Sequence, residues 1–159
     1  MNTNINNEKE IVEKDLKVLV DKADGLISNT IRNINYELVT MYWSLGKMIA
    51  EYKTQNNSKY GDGVVKRLSE ELYHKYGSGF SWRNIYDAIN LYKLFRKLPP
   101  AAKFKNTSWS HYREIVNCKD RKIIDFYLRE VENKNLTKLE LREYIKSQGY
   151  ERTISNQRE

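Results

Sequence analysis

Between Arg83 and Lys97, polar residues recur every three or four positions: Arg83, Tyr86, Asp87, Asn90, Lys93 and Lys97. At about 100° per residue, a helix gathers them within roughly a third of its circumference. Their chemistry suits a nucleic-acid duplex. An arginine can give guanine, and an asparagine adenine, two hydrogen bonds at once in the major groove. Lysines further along the same face suit phosphates, which position a protein without reading sequence. The candidate nucleic-acid-binding set is therefore Arg83, Asn84, Tyr86, Asn90, Lys93 and Lys97, joined from the preceding segment by Lys66 and Arg67. Lys75 offers a further backbone contact. Any surface helix presents a polar outer face, so this pattern gains weight only from a second signal.

The charge distribution supplies that signal. The chain carries a formal net charge of +7, with 28 Lys/Arg and 21 Asp/Glu. Ser58 to Lys105 holds ten Lys/Arg and four Asp/Glu, a net of +6, which leaves 18 and 17, a net of +1, everywhere else. A local basic excess is the electrostatic footprint of a polyanion binder. Duplex DNA is the favoured partner. RNA or an acidic protein would use the same surface.

Other chemistry lacks the residues it needs. A metal-dependent nuclease centre requires carboxylates that converge on a metal from strands, whereas Asp and Glu here are interspersed with Lys and Arg in helical segments. His74 and His111 are the only histidines, and His111, between Trp109 and Tyr112, reads as a packing residue. The single cysteine, Cys118, excludes an internal disulfide and any zinc site built on several thiolates. It reads as a small core residue, and the cytoplasm is the expected compartment. No glycine-rich phosphate loop opens a helix after a strand. No catalytic residue, metal or cofactor is expected. No apolar run approaches the roughly 18 residues of a membrane span, and the Asn-rich start lacks the apolar core of a secretory signal.

The elements that must position the candidate face are helical. Two prolines and seven glycines are too few to punctuate many short strands. The expected fold is all-α: a long N-terminal helix plus a helix-turn-helix-like bundle of about six helices. Ile31, Ile34, Leu38, Met41, Leu45, Met48 and Tyr52 alternate steps of three and four, a heptad stripe. It should be buried, against its own domain or in a homodimer through the helix bearing Ile31, Leu38 and Leu45. A weaker stripe, Leu16, Val20, Ala23 and Ile27, precedes it, with Gly25 a point of bending or breakage. Gly46 offers a place where a partner helix approaches closely.

A second helix carries Val64, Val65, Leu68, Leu72 and Tyr76, and Gly77-Ser78-Gly79 ends it. Ser81 caps a third helix, from Trp82 to about Lys97, with Trp82, Ile85, Ala88, Ile89, Tyr92 and Phe95 inward. Leu98-Pro99-Pro100 stops it. Thr107 or Ser108 caps a fourth helix, Asp120 a fifth, and Thr137 with Glu140 forms a capping box for a sixth. These signals give one helical domain over 11–148, containing a helix-turn-helix-like unit at 64–97. A frayed start at 1–10 and a flexible tail at 149–159 flank it.

Three runs also carry a family resemblance. Tyr36-Glu37-Leu38-Val39-Thr40-Met41-Tyr42-Trp43-Ser44-Leu45-Gly46-Lys47 is similar to a helix of the YhcG-type N-terminal domain. Leu68-Ser69-Glu70-Glu71-Leu72 with Gly79-Phe80-Ser81-Trp82-Arg83-Asn84-Ile85 resembles it next. Trp109-Ser110-His111-Tyr112 with Phe126-Tyr127-Leu128-Arg129-Glu130 completes the set, so the resemblance covers roughly 15–147. It implies a domain that precedes a nuclease domain of the D-(D/E)-x-K type, with a DNA-binding role presumed for it. This chain departs from the pattern by ending where such a nuclease would begin. It also carries Leu136-Thr137-Lys138-Leu139-Glu140-Leu141 in place of the family's Trp-Ser pair. The expected function is a DNA-binding targeting domain of a nuclease-type system, with any catalysis in another domain. The competing expectation is a helical oligomerisation or docking module that holds a nuclease or other protein partner.

Overall fold

The computed structural model describes residues 2–56, 61–98 and 105–158. It is all-α, with seven helices and no strand among the described residues. The helices are α1 (Asn2–Asn56), α2 (Gly61–Tyr76), α3 (Trp82–Leu94), α4 (Trp109–Ile115), α5 (Arg121–Lys134), α6 (Lys138–Lys146) and α7 (Gly149–Asn156), and a single 3₁₀ turn, Ser78–Phe80, links α2 to α3. The chain divides into two compact units, 1–34 and 35–159. The first part of α1 supplies the described residues of the first unit, and its remainder opens the second.

Within the second unit, α1 packs through a stripe displaced around the helix from the expected one. Val39, Tyr42 and Ile49 are buried, and Gly46 lies buried between them. Leu38, Met41, Met48 and Tyr52 are exposed, and only Leu45 of the heptad stripe in this unit packs on the core. The expectation that the heptad stripe is buried within the domain is therefore corrected. Two apolar stripes share this helix, and the one with the small residue and the hydrogen-bonding aromatics packs. Tyr42 Oη donates to the carbonyl of Gly79 at 2.8 Å, and Trp43 Nε1 donates to that of Phe95 at 2.6 Å. Burying those rings leaves no polar tip unsatisfied, which otherwise costs about 1–3 kcal/mol each.

Much of the remaining apolar pattern is buried, but Trp82, expected inward on α3, is exposed, as are Val64 and Tyr76 of α2. Ile85, Ala88, Ile89, Leu91, Tyr92 and Phe95 from α3 and its exit are buried. So are Trp109, Tyr112, Ile115 and Val116 around α4, and Ile124, Tyr127, Leu128 and Val131 of α5. Tyr42 stacks on Trp109 with ring centroids 4.1 Å apart, joining α1 to α4. The caps act as expected. Ser81 accepts from the N–H of Asn84, Asp120 from that of Lys122, and Thr137 and Glu140 form the reciprocal box. His111 is structural. Its Nδ1 accepts from the N–H of Ser108 at 3.0 Å, which leaves Nε2 to donate to the carbonyl of Leu136 at 2.7 Å.

Several boundaries differ from the sequence reading. α1 runs unbroken through Gly25 and begins at Asn2. α3 ends at Leu94, three residues before Lys97. α7 occupies a stretch expected to be a flexible tail, because Tyr150 packs against Phe126 at 5.3 Å and its N–H donates to the hydroxyl of Tyr127. The Pro99-Pro100 stop lies outside the described residues.

Candidate nucleic-acid interface

The turn that launches α3 decides which of its side chains face out. Gly77 adopts φ 94°, a backbone region that side chains with a Cβ rarely enter. The chain then closes the 3₁₀ turn and Ser81 caps α3. Seven of the thirteen residues of α3 are buried, so only a narrow strip of it stays accessible. Arg83 and Lys93 on that strip are exposed, and Tyr86 and Asn90 are half-buried. Lys97 is exposed just past the helix, and Lys66 and Arg67 are exposed on α2.

Asn84 does not share the strip. It is buried, and its Nδ2 donates to the carbonyl of Ser78 at 3.2 Å, tying α3 to the turn before it. Asp87 is likewise inward: its carboxylate is only 8% exposed and accepts from Arg113 Nε at 3.0 Å. At about 100° per residue Asp87 stands at the edge of the polar sector read from the sequence, and Asn84 lies about 60° beyond it, on the side of α3 that packs.

The exposed cations of α3 open onto different clefts. Lys93 and Arg96 line one with Lys53, Thr54 and Gln55 from the end of α1. Trp82 lines another with Lys66, Tyr73 and His74 of α2. Arg83 lines a third, of about 450 Å³, with Arg113, Asn117, Lys138, Arg142 and Lys146 around Asp87 and Glu114. Five cations against two acids make that cleft electropositive. Sequence reasoning missed its α4 and α6 members. Lys138, Arg142 and Lys146 stand at intervals of four, a basic stripe on one helix face that spacing alone exposes.

Ion pairing distinguishes framework cations from free ones. Lys53 pairs with Asp62 at 2.8 Å and Arg113 with Asp87 at 3.0 Å. Two of the four acids between Ser58 and Lys105 are thus neutralised from outside that segment. Among the described residues, Lys66, Arg67, Lys75, Arg83, Lys93, Arg96 and Lys97 take part in none of the ion pairs of the fold. Lys75 and Arg96 lie over the rings of Tyr76 and Tyr92 at 5.2 and 4.7 Å, contacts that keep the charge accessible from the other side.

Glu114 is the acid that holds α4 to α6. Arg142 donates to it through Nε at 3.1 Å and Nη2 at 2.7 Å, and Lys138 stands 3.9 Å away. The Arg142 hydrogen bond holds the Glu114 carboxyl below its ordinary value of 4.5 against the opposing effect of burial. A carboxyl lowered on folding stabilises the fold above its unfolded value and loses that contribution as pH falls through the folded one. Glu114→Gln should therefore cost about 1–3 kcal/mol at neutral pH, and its deficit should shrink as melts are taken to acid below the ordinary carboxylate range. A wild type and variant that lose stability in parallel across that range would show the clamp to be inert.

Among the described residues, no group of His, Cys, Asp or Glu is arranged to hold a metal ion, and no helix is long and apolar enough to cross a membrane.

Residues 19–152 match the DUF1016 N-terminal domain, and the chain belongs to that family. It is also similar to a protein of Escherichia coli (strain K12) named "Putative nuclease YhcG", with 23% identity over 168 residues covering 86% of this chain. The chain spans 45% of that relative's length. No solved structure matches it.

Proposed function

We propose that this domain binds duplex DNA through the unpaired cations of α2 and α3, and that it serves as the targeting part of a nuclease-type system. Seven exposed cations outside the ion-pair network, in the segment holding nearly all the chain's excess charge, carry this reading. A stable protein has no need to concentrate unpaired like charges, which repel one another. A phosphate backbone takes them and releases counterions in exchange. The relative named as a nuclease supports the setting, with catalysis in a domain other than this one. The narrow strip of α3 favours phosphate contacts by Lys93, Lys97 and the α2 lysine and arginine, leaving base contacts to Arg83 and Asn90 alone. A helical docking module is the second reading. It rests on a different region, the exposed apolar residues of α1.

The test is a titration of the folded domain with fluorescent duplexes over a range of salt. The expected result is micromolar or tighter binding at low salt. If about four phosphates are contacted, the logarithm of affinity should fall with the logarithm of salt at a slope of roughly −3 to −4. Lys93→Ala with Lys97→Ala should weaken every duplex alike and flatten that slope by about 2. Arg83→Ala and Asn90→Ala should relax discrimination at a contacted base pair by about 1–3 kcal/mol. Absence of binding to any duplex at low salt would sink the DNA reading. Binding that survives all four substitutions unchanged would move the site off α3.

A further inference from the structure

A single helix cannot bury its own apolar face. In the unit formed by residues 1–34, every described side chain from Ile5 onward is exposed apart from the half-buried Ser28. Yet its apolar residues are strictly spaced. Ile5, Leu16 and Ile27 stand eleven apart, as do Val12, Ala23 and Ile34, and Val20 and Ile31. Eleven residues make three turns at about 3.67 residues per turn, close to the 3.6 of a straight helix. These positions and Leu19 therefore stay on one face about a third of the circumference wide. Ile11 and Val18 fall outside it. Because α1 is continuous through Gly25, the weaker stripe of Leu16, Val20, Ala23 and Ile27 shares one face with Ile31 and Ile34.

We propose that this face pairs with the same face of a second copy of the chain, in a two-stranded helical dimer. An eleven-residue repeat winds such a pair with a right-handed supercoil. Charge argues for a second copy. Residues 1–34 hold six acidic and five basic residues, so two copies do not repel, and nothing there attracts a polyanion. A helix lying on an anionic membrane would carry Lys and Arg on its polar face in clear excess. Area argues the same way. The nine apolar side chains of the face, at roughly 80 Å² each in two copies, give on the order of 1,500 Å², the size of a standard stable interface. A face whose residue types recur at a fixed interval is complementary to itself, which a two-fold dimer requires.

Sedimentation equilibrium of the full chain across the micromolar range tests this. The expected result is a dimer. Leu16→Asp combined with Ile27→Asp should weaken association at least 100-fold. The thermal transition reported by tryptophan fluorescence should stay in place, since Trp43, Trp82 and Trp109 all lie in the 35–159 unit. A wild type that sediments as a monomer throughout would overturn the proposal and give the face to another part of the chain or a different protein. A dimer that persists in the doubly substituted variant would overturn it too, placing the contact elsewhere.

Discussion

Gly46→Ala is expected to destabilise the 35–159 unit by about 3 kcal/mol or more, although it adds one methyl group. A Cβ at Gly46 would stand 2.0 Å from the carbonyl oxygen of Ala88 and 2.9 Å from the backbone nitrogen of Ile89. Ordinary contact between such atoms lies near 3.5–4.0 Å. The obstacle is backbone, so no rotamer change relieves it, and α1 and α3 would have to separate by roughly 1.5 Å. That movement pulls on the hydrogen bonds of Tyr42 and Trp43, which fix α1 on either side of the 3₁₀ turn and the α3 exit. Gly25→Ala supplies the control. Nothing lies within 4 Å of a Cβ there, so alanine should gain up to about 1 kcal/mol of helix stability from propensity alone. The same substitution in the same helix thus changes sign with its surroundings. Denaturant melts followed by tryptophan fluorescence check the first variant, and helical circular dichroism checks the second. If Gly46→Ala and the wild type melt together, the close approach of α1 to α3 is wrong.

Local signals made most of this fold legible. Capping residues announce themselves by type and spacing, which is why Ser81, Asp120 and the Thr137–Glu140 box could be placed from the sequence. The apolar faces of α4 and α5 were equally plain, because each has a single stripe. α1 was harder for a physical reason. From Asn35 onward it carries two apolar stripes, and periodicity ranks the more regular one first. What decides is the partner: Gly46 fits the backbone of α3, and Tyr42 and Trp43 find carbonyl acceptors. Those acceptors lie 37 and 52 residues away in the chain, beyond any local pattern. The candidate site divides in the same way. Exposure of Arg83 and Lys93 follows from helix geometry, whereas the inward turn of Asn84 and Asp87 depends on the turn before α3 and on Arg113 from α4. α7 escaped notice because its polar sequence is held by two aromatic residues of α5.

Two arginines that line one cleft should respond in opposite ways to the same substitution. Arg113→Met is expected to cost about 3–5 kcal/mol, because it strands the carboxylate of Asp87, which is 8% exposed, with no partner. The loss reflects the orphaned charge more than any net strength of the pair. Arg113→Met combined with Asp87→Leu should therefore recover most of the stability, since a buried pair replaced by apolar groups is often neutral. Coupling between the two sites in a double-mutant cycle should then be at least as large as the stability recovered, about 2–3 kcal/mol or more. Arg83→Met stands against these. Arg83 is exposed and belongs to no ion pair among the described residues, so its removal should change stability by less than about 0.5 kcal/mol. Its loss should fall on duplex affinity instead, as the charge-dependent reading of α3 requires. Chemical denaturation and duplex titration of the wild type, Arg113→Met, Asp87→Leu, their double variant and Arg83→Met together separate framework from interface. If Arg83→Met destabilises as much as Arg113→Met, Arg83 belongs to the framework and the interface keeps only Asn90 for reading bases. If the double variant is no more stable than Arg113→Met alone, Arg113 supports the fold through packing, and the Asp87 pair is incidental.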